Sequence, residues 1–169
     1  MISIRELSGA DAEVFADLRK SVVADCPVQM GLSLEEELQR SLEEFREQLS
    51  APAPSVVFGA FDGESLVATA GISKPTTRPS GAHKAVLWGV FTAPTYRRRS
   101  LARRLSELAI ERAFSSWAER VYLYVFLPNE SAIRLYESLG FTATGREPGV
   151  LQLGGVYYDI QSMSRGRSA

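Results

Sequence analysis

The sequence predicts an α/β (α+β) fold, a mixed and mostly antiparallel central sheet of about seven strands flanked by about four helices. Three observations predict it. Asp62-Gly63-Glu64 separates two β-like runs at 55–61 and 65–73, which is a hairpin signal and so announces antiparallel neighbours. A helical pattern at 100–117 lies between strand-like runs at 84–92 and 121–127, and a helical crossover makes those two strands a parallel pair. Near the end, Gly154-Gly155 breaks a β-like run at 150–163, which with 141–144 forms a last pair of strands.

The elements follow in order. Ile2, Ile4 and Leu7 begin a strand, and Ser8 followed by Asp11 starts a helix at 12–23 with Val14, Phe15, Leu18 and Val22 at helical spacing. Cys26-Pro27 ends it, and a loop rich in Pro, Gly and Met follows. Ser33-Leu34-Glu35-Glu36 reads as a capping box opening one helix to about Leu49, with Leu34, Leu38, Leu42 and Phe45 on one side. Pro75, Pro79 and Gly81 make 74–82 a polar loop before the strand at 84–92. The helix at 100–117 places Leu101, Leu105, Leu108 and Ala109 on a buried stripe. Val121 to Leu127 is continuously apolar, as for a strand covered on both faces. Asn129 to Leu139 is a short helix that ends at Gly140.

With 169 residues, 45% of them hydrophobic, the chain is one domain with a real core. Its net charge of −1, from 19 basic and 20 acidic residues, gives it no general reason to coat nucleic acid or an anionic membrane. No apolar run is long enough to span a bilayer, and Met1-Ile2-Ser3-Ile4-Arg5-Glu6 lacks the build of a signal peptide, so a cytoplasmic protein is expected. Cys26 and His83 are the sole residues of their types, which argues against an internal disulfide and against a bound metal. Neither lies in a motif for nucleophilic catalysis, and Cys26 reads as an ordinary small residue.

The most informative stretch is 90–102, where a β-rich run stops at Pro94 and Arg97-Arg98-Arg99 opens into a helix. A helix start leaves backbone N–H groups without intrahelical partners at the positive end of the macrodipole, so it holds an anion. Arg97, Arg98, Arg99, Arg103 and Arg104 add positive charge there.

In this order the elements resemble the GCN5-related N-acetyltransferase (GNAT) family, and two motifs carry the resemblance. The family's Arg/Gln-x-x-Gly-x-Gly/Ala turn falls on Arg97-Arg98-Arg99-Ser100-Leu101-Ala102, with Ser100 where the first glycine is usual. Its second segment falls on Asn129-x-x-Ala132-x-x-x-Tyr136-x-x-x-Gly140-Phe141. The resemblance implies one acetyltransferase domain at 1–163, a flexible tail at 164–169, and a splayed pair formed by the strands at 84–92 and 121–127. It implies acetyl-CoA as co-substrate, bound by Arg97, Arg98, Arg99, Ser100, Leu101 and Ala102 with the pyrophosphate on the N–H groups of about Arg99 to Ala102, the pantetheine arm along Val90, Phe91 and Thr92, where a backbone N–H would polarise the acetyl carbonyl, and Asn129 on the same arm. Tyr136 would protonate the leaving thiolate. A serine at position 100 works if the turn is already helical, its hydroxyl capping the helix or touching a phosphate. The family often places a glutamate on or near the strand before the first motif, but Lys84-Ala85-Val86-Leu87-Trp88-Gly89 has no carboxylate; His83 at its far end, a water chain or another element would take the amine's proton. The acceptor would be a small-molecule amine or a peptide, bounded by 27–32, 74–82 and the final hairpin, with Trp88 in the core or in the acceptor pocket. The protein would act as a monomer or homodimer.

Other readings stay open. Tyr136 is at helical spacing from Ala132 and near Leu139, so it also reads as core. The arginines also read as a solvated face or a nucleic-acid patch, which the neutral overall charge disfavours. A non-catalytic or regulatory acyl-CoA-binding module of the same fold is the alternative to an enzyme.

Overall fold

The computed structural model describes residues 1–168. Its strands are β1 (Ile2–Glu6), β2 (Val56–Asp62), β3 (Ser65–Ser73), β4 (Lys84–Thr92), β5 (Arg120–Phe126), β6 (Thr142–Leu153) and β7 (Val156–Gly166). They form one seven-stranded sheet in the order β1-β2-β3-β4-β5-β7-β6. Every pairing is antiparallel except β4 with β5. That parallel pair runs only from Lys84↔Arg120 to Val86↔Tyr122, after which the strands diverge. The expected splayed pair is therefore present, and the opening it creates holds the candidate site.

The helices are α1 (Ala12–Asp25), α2 (Pro27–Met30), α3 (Leu34–Gln39), α4 (Leu42–Leu49), α5 (Leu101–Ser116) and α6 (Glu130–Ser138). Leu101, Leu105, Ala109, Ile110 and Ala113 of α5 pack with Ala68, Ala70, Ile72, Ala85 and Leu87 of the sheet. Phe15, Leu18 and Val22 of α1 pack with Phe45 and Leu49 of α4 in a second cluster that also takes in Val57, Phe61 and Phe91. The sheet thus separates two apolar layers, as its alternating side chains require.

Several expectations need correction. The helix expected from Ser33 to Leu49 is two helices, because Ser41 and Glu44 form a second capping box: the Glu44 N–H donates to Ser41 Oγ at 3.2 Å and the Ser41 N–H to Glu44 Oε2 at 2.6 Å. The break lets Glu37 turn inward to a bidentate ion pair with Arg19, at 2.6 and 3.0 Å, leaving Leu34, Leu38 and Leu42 on the surface. A further single turn, α2, occupies the expected 27–32 loop, with Pro27 at its first position and Gly31 left-handed just past its end. On α5, Leu108 is exposed and Ile110 takes its place in the core.

In β5, Val121, Leu123 and Val125 are buried while Tyr122 and Phe126 are half-buried and Tyr124 is exposed, so one face is fully covered and the other only in part. Counting aromatic residues as apolar had hidden its period of two. β6 runs through the expected break at 145–149: Gly145, Arg146 and Glu147 stay paired with β7, and register shifts at Thr144 and at Pro148, Gly149 and Val150 absorb the irregularity. β7 continues to Gly166 through Tyr122↔Ser164, Val121↔Arg165 and Arg120↔Gly166, so the first residues of the expected tail are sheet; Ala169 lies outside the described residues.

Candidate functional site

A cleft of about 840 Å³ opens where β4 and β5 diverge. One wall is the end of β4, with Val90, Phe91 and Thr92; another is the turn into α5, with Arg97, Arg98, Ser100, Leu101 and Ala102; a third is the start of α6, with Asn129 and Tyr136. Nine of the ten residues expected at the cofactor, and the expected catalytic residue, therefore line one cavity. Arg99 is the exception. Its guanidinium lies over the Tyr96 ring, 4.8 Å from the centroid.

The turn into α5 is built from backbone. Pro94–Tyr96 is a 3-10 turn and Arg97 is extended; Arg98 then has φ +64° and Ser100 φ +59°. This reversal aims the first turn of α5 at the cleft. The first helical bond is from the Arg104 N–H to the Ser100 carbonyl at 3.0 Å, so the N–H groups of Leu101, Ala102 and Arg103 have no acceptor within the helix. The expectation that Ser100 sits in an already helical turn and caps it is corrected: it is left-handed, and its hydroxyl makes no capping bond. That left-handed geometry is why glycine suits the position.

The arginines are more committed than their sequence suggests. Arg97 Nη2 donates to Asp25 Oδ2 at 2.6 Å, bridging the turn to the end of α1. Arg103 pairs with Glu107 at 2.9 Å and donates to Ser138 Oγ at 2.7 Å. Below Arg99, the Tyr96 hydroxyl donates to Asp62 Oδ2 at 2.8 Å, a bond that lowers the Asp62 carboxyl and raises the Tyr96 phenol from their ordinary pKa values. The charge that faces a ligand is thus mainly Arg98 and the helix terminus.

β4 changes register beside the cleft. Thr69 is paired with Phe91 and Gly71 with Trp88, so Gly89 and Val90 together stand opposite Ala70, and Gly89 has φ +59°. A glycine in the left-handed region at a bulge re-aims the peptide that follows it. Thr69 Oγ1 donates to the Gly89 carbonyl at 2.7 Å.

Asn129 caps α6, its Oδ1 accepting from the Ala132 N–H at 3.3 Å. About two turns on, Tyr136 is 8% exposed and meets Phe141 edge-on at 5.9 Å between ring centroids, so it is both core and cleft wall. Burial pushes its phenol up from the usual value, and the group stays neutral throughout the physiological range.

A further wall is formed by Val22, Cys26, Gln29 and Met30; the last two lie in the 27–32 segment expected beside the acceptor, whereas Val22 and Cys26 were missed in the sequence. Gln29 Nε2 donates to the Pro128 carbonyl at 2.8 Å, tying α2 to the loop before α6. Gly31 lies flat on Phe126, where any Cβ would collide with the ring. Pro27 and Gly31, the first-turn proline and the glycine past the end, were the available signal. Burial raises the Cys26 thiol above its usual pKa, which disfavours a thiolate nucleophile. His83 and Trp88 are not in the lining; Trp88 Nε1 donates to Ser73 Oγ at 2.6 Å. Among the described residues the one lining carboxylate is Glu130, exposed and paired with Arg134 at 3.0 Å. Among the described residues no helix is long and apolar enough to cross a membrane.

Residues 16–141 match the family described as acetyltransferase (GNAT) family. An N-alpha-acetyltransferase, RimI of Mycobacterium tuberculosis, is 31% identical over 145 residues, 85% of this chain and 80% of that protein. A spermidine N(1)-acetyltransferase of Vibrio cholerae is 28% identical over 82 residues, 48% of this chain and only 47% of that protein. Among solved structures, an acetyltransferase of the GNAT family from Streptococcus pneumoniae superposes with a TM-score of 0.88 at 22% identity, covering 99% of this chain and 100% of that one. The structure of yncA from Salmonella typhimurium, solved with its cofactor acetyl-CoA, does so with a TM-score of 0.76 at 19% identity, covering 98% and 93%.

Proposed function

Because the chain belongs to the GNAT acetyltransferase family, we propose that it transfers an acetyl group from acetyl-CoA to a primary amine of a small molecule or peptide, by direct attack in a ternary complex. One observation carries the reading: a helix N-terminus, a diverging strand edge and a buried neutral phenol share one cleft. When bound, acetyl-CoA supplies the thioester carbon that an amine attacks. The unpartnered N–H groups of Leu101, Ala102 and Arg103, with Arg98, would hold the pyrophosphate. Val90 to Thr92, whose strand has lost its β5 neighbour, would hold the pantetheine arm by backbone pairing.

Tyr136 would donate its proton to the departing thiolate. A phenol raised by burial keeps its proton at neutral pH and so has one to give as the sulfur departs; a thiol is the stronger acid, so the transfer depends on placement against the sulfur rather than on a favourable pKa difference. With Glu130 engaged by Arg134, the amine's proton would leave through solvent at the cleft mouth. The relatives' names carry two amine types, an α-amine and spermidine, and the acceptor would be of one of these kinds, on a peptide or a small molecule. The protein would work as a monomer or homodimer, in the cytoplasm, without nucleic acid, membrane or metal.

A thiol-release assay with acetyl-CoA and a panel of N-terminal peptides, polyamines and amino-acid analogues tests this. Amine-dependent release is expected. Calorimetric binding of acetyl-CoA with no release on any amine would instead favour the non-catalytic acyl-CoA-binding module. No binding would defeat both.

A further inference from the structure

We infer that Thr69, on the strand next to β4, is a positioning residue that aims the Val90 N–H at the thioester carbonyl. The inference rests on the proposed acetyl transfer and deepens it. At the bulge, Gly89 and Val90 together face Ala70, so the regular ladder cannot satisfy every backbone group there. The Gly89 carbonyl finds its partner in the Thr69 hydroxyl at 2.7 Å. Thr69 is fully buried, so that hydroxyl has no water to turn to, and the bond orders both groups.

The consequence follows from the planarity of the peptide. The C=O of Gly89 and the N–H of Val90 belong to one trans unit and point in opposite directions. With the carbonyl held toward β3 by Thr69, the Val90 N–H is directed away from β3, to the side that β5 has left. β4 and β5 are paired only as far as Val86↔Tyr122, so no strand occupies that side. Val90 lines the same cleft as the arginine turn and Tyr136. A fixed N–H in that place is what an oxygen gaining negative charge requires, and its value depends on its not having to reorient.

No motif marks this residue in the sequence. Thr69 sits in an apolar β3 run, Leu66-Val67-Ala68-Thr69-Ala70-Gly71-Ile72, where a threonine reads as a strand former. Its hydroxyl matters because Gly89, twenty residues on, is left-handed.

The test compares Thr69→Val, which keeps the branched shape and deletes the hydroxyl, with Thr69→Ser, which keeps the hydroxyl. Two readouts are used: steady-state kinetics, and isotope-edited infrared spectra of bound acetyl-CoA labelled with ¹³C at the thioester carbonyl. In the parent protein and Thr69→Ser, the bound carbonyl stretch should fall below its solution frequency. In Thr69→Val it should move back toward that frequency, while kcat falls about tenfold and the KM for acetyl-CoA stays within about twofold, a part of the roughly 10²–10³ that losing one such donor costs. A carbonyl frequency that Thr69→Val leaves unchanged overturns the inference, as does a loss shared by kcat and KM or one that serine fails to restore. The infrared arm needs no acceptor, so it decides the role of Thr69 even where no amine in the panel reacts. Failure of the parent protein to bind acetyl-CoA would remove the function and the inference together.

Discussion

Replacing Ser100 by glycine should make the protein more stable and tighten its hold on acetyl-CoA. Ser100 has φ +59° and ψ +18°, and the left-handed region costs an L-residue roughly 1–2 kcal/mol through the clash of Cβ with the backbone. No hydrogen bond from the hydroxyl caps the helix to offset that cost. Glycine removes the clash but adds about 0.5–1 kcal/mol of unfolded-state entropy, leaving a net gain of about 1 kcal/mol. For a chain of 169 residues this corresponds to a rise in Tm of about 2–4 °C. Thermal denaturation followed by circular dichroism measures it, and calorimetric titration with acetyl-CoA on the same samples should show tighter binding, since no side chain then stands beside the N–H groups. Ser100→Ala is the control: it deletes the hydroxyl and keeps the strain, so its Tm should match that of the parent. A Ser100→Gly protein that melts at or below the parent temperature would refute the strain argument, and an alanine variant that melts well below it would show that the hydroxyl has a partner after all.

Three further substitutions probe the site and its support. Tyr136→Phe should lower kcat by roughly 10²-fold or more while the Kd for acetyl-CoA changes less than about twofold, as for loss of a general acid. Because burial raises the Tyr136 phenol, the parent's pH–rate profile should keep rising through pH 8 to 9 as the acceptor amine deprotonates; an alkaline fall below pH 9 that disappears in Tyr136→Phe would contradict a raised phenol. Ser106 is fully buried on α5 with a hydroxyl that has no partner among the described residues, so Ser106→Ala should be neutral or stabilising by about 1 kcal/mol in urea denaturation, and a clear loss would mean an unseen bond. Glu37→Ala strands the Arg19 guanidinium in the α1–α3 interior and should cost about 3–5 kcal/mol; Arg19→Met combined with Glu37→Leu should recover most of it, and equal losses in the single and double variants would count against the pair.

What the sequence revealed about this molecule divides by the range of the interaction responsible. Capping boxes are local, and Ser8 with Asp11 and Ser33 with Glu36 both form as read, the latter with bonds of 2.7 and 3.1 Å. Ser41 with Glu44 has the same form, but the apolar spacing from Leu34 through Phe45 concealed it. The break it makes is completed by a partner eighteen residues back, Arg19, which no local pattern announces. The site divides in the same way. Val90–Thr92, the 97–102 turn, Asn129 and Tyr136 sit at strand ends and helix starts that punctuation residues mark, and the cleft gathers all of them but Arg99. Cys26, Gln29 and Met30 reach it only because α2 folds down onto Phe126 and Gln29 finds the Pro128 carbonyl, contacts across most of the chain.

The cofactor wall is also where this fold carries its backbone strain. Among the described residues only Arg98 and Ser100 are non-glycine residues with positive φ, and both line the cleft. Gly89, left-handed in the middle of a strand rather than at its end, adjoins the same wall. Most other positive-φ glycines serve turns or helix ends, as Gly31, Gly63, Gly140 and Gly154-Gly155 do. Two interruptions of regular structure, a bulge and a reversed turn, therefore present backbone N–H groups to one cavity, and each is secured by a side-chain bond to a residue that does not line it: the bulge through Thr69 and the turn through Asp25. Severing that bridge with Asp25→Asn should loosen the turn without touching the bulge. Acetyl-CoA affinity should then fall by about twofold to fivefold, as expected for a half-exposed ion pair, while the infrared frequency of the bound thioester carbonyl stays put. Thr69→Val should do the reverse, moving the frequency and sparing the affinity. A shift of both quantities in either variant would show that the two devices act as one unit.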